Sequence, residues 1–530
     1  MPTDCITFRD TNYFSSLICD YLDENSDLRP FYNRFPNLEN FKDQIDEKQS
    51  SFKSDTRTVL VEALKKQYQH INLSSLTKQN IEALNDSKTF TITTGHQLNL
   101  FTGPLYFLYK IVSTINLTKD LKAKYPDYNF VPIYWMATED HDFEEINYFN
   151  FKGEKVHWNI EAKGAVGELN TNGLEDVFSI FSSELGQGAT ADFLKDLFKK
   201  SYLEHNNLSD ATRYLANALF SEYGLVILDA NKPELKRLLI PYIEKELVEQ
   251  VSCKSVLNSN TALEKQYKIQ VNPREINLFY TIKGLRERIV EKDGVYTVNE
   301  TNILFTRSEI LDELYNHPER FSPNVIMRPL YQEVILPNLC YIGGGGELAY
   351  WLELKDYFET VKIPFPILLL RNSVLIKTEK QTQKLDKLNL TLQDLFLKQD
   401  QLVNKQVKEL SKIDIDFTSQ KEHLNQQFKD LYKLAEQTDK SFLGAVAAQE
   451  KKQLNGLNNL EKRLLKAQKR KLNEQIIRIT NLQNELFPDQ SLQERNLNFS
   501  ELYLEFGEQL IQQLVLNLQP LKGEFLILNL

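Results

Sequence analysis

Three short stretches of this 530-residue chain hold the residue types that do chemistry. The first is the loop Gly95-His96-Gln97, followed by Asn99, Gly103-Pro104 and Lys110. A β-type run at residues 90–93 enters the loop, and Gly103-Pro104 opens an apolar-periodic helix reaching about Lys124. Helix starts leave N–H groups unsatisfied and carry partial positive charge, so they attract phosphate or carboxylate. Gly103 would admit a ligand close to the backbone, Pro104 suits the first helical position, and Lys110 adds charge. The plainer alternative is a tight turn holding a hydrogen-bonded histidine.

The second stretch, Glu139-Asp140-His141-Asp142 with Glu144-Glu145, packs five carboxylates and one imidazole into seven residues. Such a group can orient an amine, act as a general base or hold hydrated Mg²⁺. The alternative is a solvated acidic loop. No His or Cys partner stands at metal spacing from His141, so no metal site is expected. The third stretch, Gly343 to Gly346 before Glu347, again places backbone N–H groups at a helix start, beside Arg328 and Arg371-Asn372. It has neither the GKS/T of a phosphate loop nor a GxGxxG pattern, and a plain strand-to-helix connection is the alternative.

The elements that must position these residues read as α/β. Strand, loop, helix and strand follow one another over residues 91–147, and the polar residues fall at the strand ends, where open α/β sheets bind ligands. Residues 1–147 are expected to hold N-terminal helices and the first part of the core. A first insertion at 148–205 carries a hairpin turning near Lys152-Gly153, the core continues over 206–265, and a β-rich second insertion spans 266–320 with an Asp293-Gly294 turn. The core returns at 321–377 through β runs at 333–336 and 366–370. Residues 378–486 nearly lack Gly and Pro and read as a helical arm, with a turn near 438–442 making its two halves antiparallel. Residues 487–530 end in an apolar run expected to rejoin the core sheet or its edge.

Formal charge is −10, which disfavours nucleic acid as a main partner. Residues 374–490 carry 21 Lys and Arg against 16 Asp and Glu, a net of +5, leaving −15 for the rest. The basic run Lys462 to Lys471 reads as a solvated helix face. Four scattered cysteines, no leader-like N-terminus and no long apolar run lead to the expectation of a cytoplasmic protein without a membrane span.

The segments TGHQLNLFTGPLYFLYK, PIYWMATEDHDFEEIN and RPLYQEVILPNLCYIGGGGELAYW, with LLLRNS and SLQERNLNF further on, together resemble the bacillithiol-biosynthesis cysteine-adding enzymes of the BshC type. The resemblance spans essentially the whole chain. It implies a Rossmann-like core related to class I nucleotidyltransferases, two inserted connecting elements and an α-helical coiled-coil arm that supports a homodimer. It implies a ligase that joins cysteine to glucosaminyl-malate by an amide bond, with ATP-dependent activation, through a cysteinyl-adenylate, as the working hypothesis. The cofactor is left open, ATP or ADP with Mg²⁺ being the candidates. Glu139, Asp140, His141 and Asp142 would handle the amine and its proton. Gly95, His96, Gln97, Asn99, Gly103, Lys110, Arg328, Gly344, Gly345, Glu347, Tyr350, Trp351, Arg371 and Asn372 would bind substrate or nucleotide, with Arg328 and Arg371 holding the malyl carboxylates. No literal HxGH or KMSKS-like loop is present. The competing reading is a non-catalytic nucleotidyltransferase-like scaffold that binds proteins through its coiled coil.

Overall fold

A computed structural model describes residues 3–438 and 440–530. The chain forms two compact units, one running to Ile376 and resuming at Leu492–Leu528, the other spanning Lys377–Ser491. Among the described residues no helix is long and apolar enough to cross a membrane.

The first unit is organised on a five-stranded parallel sheet. Its strands are β1 (Thr89–His96), β2 (Asn129–Met136), β3 (Val226–Asp229), β4 (Asn338–Gly343) and β5 (Ile367–Leu370). They lie in the order β5-β4-β1-β2-β3. The chain leaves β1 on one side to build β2 and β3, then returns on the other for β4 and β5. The neighbours β1 and β4 therefore flank the topological switch point, where doubly wound sheets open a crevice for ligands.

Every residue of β1 is buried, as parallel strands covered on both faces require. Two of its threonines tolerate burial because they are paired: Thr93 Oγ1 donates to the Asn338 side chain (2.8 Å) and Thr94 Oγ1 to the Ile342 carbonyl (2.7 Å), whereas the Thr89 hydroxyl at the strand's start has no partner among the described residues. The helix that follows, Tyr106–Lys124, buries most of its length against the sheet. Between strand and helix, Phe101, Thr102 and Gly103 all have positive φ. A Cβ on Gly103 would lie 2.5 Å from the Asn99 Cβ, so glycine is required there by the turn itself.

The hairpin Tyr148–Phe151 with Glu154–His157 turns through Lys152 and Gly153, both at positive φ, as its sequence predicts. A second, five-stranded sheet runs from Leu278–Ile282 to Phe321–Pro323 and contains the Asp293-Gly294 turn. Two expectations need correction. The apolar run at 333–336 is not a strand: it closes the helix Met327–Ile335, whose Glu333 is buried against Lys48 at 2.8 Å, and the strand begins at Asn338. The terminal run Glu524–Asn529 does not rejoin the core sheet. It pairs antiparallel with Thr3–Thr7 in a separate three-stranded sheet.

In the second unit Thr418–Ala435 and Lys440–Lys471 form an antiparallel hairpin, pinned by Lys421–Glu461 (2.8 Å) and Tyr432–Glu450 (2.7 Å) and filled by Phe428, Ala435 and Val446. Asp439, within the expected turn, lies outside the described residues.

Candidate active site

A cavity of about 920 Å³ opens at the carboxyl ends of β1, β2 and β4. One wall is cationic. Lys110, buried in the first turns of its helix, donates to the Gly95 carbonyl (2.7 Å) and pairs with Glu347 (2.6 Å). Glu347 sits in the first turn of the helix Gly345–Leu352 and also accepts from the Gly344 N–H (2.8 Å) and the Tyr341 hydroxyl (2.7 Å). Burial alone would raise its carboxyl, but the Lys110 ammonium and these donors outweigh that and hold it below the usual range.

Arg328, half-buried, donates to Gln332 Oε1 and Tyr350 Oη (both 3.2 Å) and lies over the rings of Tyr341 and Trp135. It forms no ion pair among the described residues. Arg371 is committed differently. It gives Nη2 to Glu494 (2.7 Å) and Nη1 to the Asn372 carbonyl and Ser373 Oγ, and it covers the Tyr106 ring. Its buried Nε–H has no partner among the described residues. Arg495 reaches the cavity from a helical turn, Gln493–Asn496, and makes no ion pair among the described residues. The two residues before it anchor that turn: Gln493 binds both the N–H and the carbonyl of Ile376, and Glu494 binds Arg371, Ser373 and Val374.

His96 is 7% exposed and wedged between Tyr106 and Phe107. Burial, reinforced by the Lys110 cation, pushes its imidazole down to about 3, so it is neutral at physiological pH.

The acidic loop after β2 also lines the cavity. Thr138 is tied to the buried Asp229 at the end of β3 (2.6 Å), which fixes where the loop begins. Glu139 is ion-paired with the fully buried Lys236. Gln97 Nε2 bridges Asp140 (3.0 Å) and Glu145 (2.9 Å). Asp140 accepts the His141 N–H, and His141 Nδ1 faces the guanidinium of Arg286. Asp142 is exposed. Ligand atoms of Asp140, His141 and Asp142 lie within 4.8 Å of one another, a spacing that accommodates a cation, although Arg286 occupies the Nδ1 position.

The cavity thus brings together Gly95, His96, Gln97, Lys110, the Glu139–Asp142 loop, Arg328, Gly344, Gly345, Glu347, Tyr350 and Arg371. Four residues expected with them lie elsewhere. Asn99 supports the Glu145 carbonyl (3.2 Å), and Gly103 serves its own turn. Trp351 is core, fully buried among Tyr341, Phe358 and Phe365. Asn372 is spent on Ser113 and the Gln519 carbonyl. Sequence reasoning missed Tyr106, Trp135, Gln270, Phe279, Arg286, Tyr341 and Arg495 as lining residues. Tyr106, Trp135, Tyr341 and Arg495 do stand inside the quoted motifs. Arg286 and Phe279 come from the inserted sheet, where no local signal marks them.

Two family models cover the chain. Residues 1–372 match the N-terminal Rossmann-like domain of the bacillithiol-biosynthesis protein BshC, and residues 374–530 match its C-terminal coiled-coil domain. The chain belongs to the BshC family. Relatives named "Putative cysteine ligase BshC" include those of Flavobacterium johnsoniae, 62% identical over 530 residues, and Flavobacterium psychrophilum, 60% identical over 530 residues, each covering 100% of both chains. The Cytophaga hutchinsonii relative is 38% identical over 516 residues, 97% of this chain and 96% of its own. By this kinship the protein is a ligase, and the scaffold alternative falls. The cavity also crosses the boundary between the two BshC models, since Arg495 lies beyond residue 372 yet packs in the first compact unit.

Proposed function

We propose that the protein forms an amide bond between the carboxyl of cysteine and the amine of glucosaminyl-malate, completing bacillithiol, with ATP activating the carboxyl. The observation that carries this reading is that one cavity is lined both by Arg328 and Arg495, guanidinium groups without an ion pair among the described residues, and by the carboxylates of the acidic loop. A substrate with two carboxylates at one end and an amine at the other is oriented by such a site before any chemistry occurs.

In this reading Arg328 and Arg495 hold the malyl carboxylates, since guanidinium pairs with carboxylate through charge-assisted bonds. Arg371, whose charge is neutralised by Glu494, supports the wall and does not hold the malyl carboxylates. The amine lies against the acidic loop. When its nitrogen attacks the activated cysteine carbonyl, the C–N bond forms, the activating group leaves, and a loop carboxylate accepts the nitrogen's proton. ATP, when bound, supplies the leaving group. The start of the helix Gly345–Leu352 and the unpartnered Arg371 Nε–H fit its phosphate charge. His96, neutral, lines this region without donating a proton from an imidazolium. The arm forms a homodimer contact, and the four free cysteines suit a reducing cytoplasm.

Purified protein incubated with cysteine, glucosaminyl-malate and ATP should yield bacillithiol by mass spectrometry. Release of AMP and pyrophosphate would identify an adenylate route, and ADP with phosphate an acyl-phosphate route. The reading fails if no bacillithiol forms and neither substrate binds. Sedimentation of the full-length protein should return a dimer.

A further inference from the structure

The second inserted sheet carries a guanidinium into the acidic loop, and every nitrogen of that group is placed. Arg286, in the strand Leu285–Lys292, is 8% exposed. Its Nε donates to Ser322 Oγ (3.1 Å) and its Nη2 to the Pro323 carbonyl (3.5 Å), while its guanidinium carbon lies 4.0 Å from the Phe279 ring centroid. The remaining Nη1 meets His141 Nδ1. It forms no ion pair among the described residues. The His141 ring also packs against Phe279, with centroids 5.4 Å apart and the planes tilted by 55°.

A guanidinium has donors and no acceptor, and it keeps its charge in proteins. Nδ1 of His141 must therefore present its lone pair, and the ring proton sits on Nε2. Nε2 lies on the Asp142 side of the ring, 3.9 Å from Asp142 Oδ1. Turning the ring over would set a C–H against the guanidinium, and Ser322, Pro323 and Phe279 leave Arg286 no other seat.

We propose that Arg286 is a positioning residue that locks His141 in its Nε2–H tautomer, so that His141 serves the site as a hydrogen-bond donor and proton acceptance falls to the loop carboxylates. The catalytic consequence rests on the ligation reading above; the tautomer does not. The inserted sheet then has a defined task, which is to set the donor pattern of a loop belonging to the Rossmann-like core.

The test is the histidine nitrogen spectrum of ¹⁵N-labelled full-length protein, with His141 identified by the signals lost in His141→Gln. Wild type should show a protonated Nε2 and an unprotonated Nδ1. Arg286→Met should give mixed tautomers and lower kcat about 10²-fold, while Arg286→Lys, which still donates, should keep the wild-type tautomer. Protonated Nδ1 in wild type, or an unchanged His141 signal in Arg286→Met, would overturn the inference. Should the Met variant not fold, the wild-type and Lys spectra decide. If the tautomer is as expected and no bacillithiol is made, the ligation reading fails and the positioning role stands.

Discussion

Arg371 and Glu494, 123 positions apart in the chain, form a 2.7 Å ion pair whose side chains are 5% and 0% exposed. The pair joins the end of β5 to the segment that returns after the arm. It also sorts the cationic wall. Arg371 is neutralised in place, so Arg328 and Arg495 are the guanidinium groups left for a substrate carboxylate.

Removing one member of a buried pair strands the other charge, at a cost of about 3–5 kcal/mol. Glu494→Ala should therefore lower unfolding stability by that order, read by urea denaturation, and should abolish ligation because Arg495 loses its anchor. Arg371→Met combined with Glu494→Leu should recover much of the stability but little activity. Full recovery of both would show that the pair only holds the fold together.

Arg328 and Arg495 should behave as binding residues. Each charge-assisted bond lost is worth about 1.5–3 kcal/mol, so Arg328→Met and Arg495→Ala should each raise KM for glucosaminyl-malate about 10- to 100-fold, with KM for cysteine little changed. Arg328→Met should not lower the melting temperature, because the wild-type guanidinium is partly desolvated without a carboxylate partner. A large thermal loss in Arg328→Met would point to packing.

Two groups should give the stability opposite slopes with pH. His96 ionises at about 3 in the fold against an ordinary 6.5. Between those values the unfolded chain binds a proton that the folded chain refuses, so stability falls as pH drops below 6.5, by about 1.4 kcal/mol per unit. Glu353 behaves in reverse. Burial lifts its carboxyl to about 7 from an ordinary 4.5, despite the N–H groups of Gln270 and Val271 that it accepts. Here the folded chain retains the proton, and stability falls as pH rises from 4.5 through 7. Between 4.5 and 6.5 the two contributions oppose each other. In urea titrations across about pH 5 to 8, His96→Gln should therefore make stability fall more steeply with rising pH below 6.5, while Glu353→Gln should make it rise there and remove the fall between 6.5 and 7. Parallel curves for parent and variants would refute both assignments.

Much of the α/β architecture was legible because it rests on local pattern. Residues 90–136 alternate strand, helix and strand periodicity with turn residues between them, and the hairpins at Lys152-Gly153 and Asp293-Gly294 follow from residues that tolerate positive φ. The run at 333–336 was misread because a short apolar stretch has no period of its own. What sets it is a tertiary contact, Lys48 with Glu333. Trp351 sits one residue from Tyr350, yet helix geometry turns it away from the cavity into the core. Arg286 carries no local mark at all, and the motif that holds Arg495 does not say what it faces. Each is meaningful only beside His141 or Arg371, more than a hundred residues away.

The pairing of Thr3–Thr7 with Glu524–Asn529 makes the molecule a product of its own timetable. A ribosome adding about 5–20 residues per second leaves the first strand without that partner for on the order of a minute. Arg495, too, is translated after the whole arm. The strands of the parallel sheet and the acidic loop are thus all synthesised before the second guanidinium that lacks an ion pair among the described residues, and the cavity takes its final charge only once Arg495 has joined them.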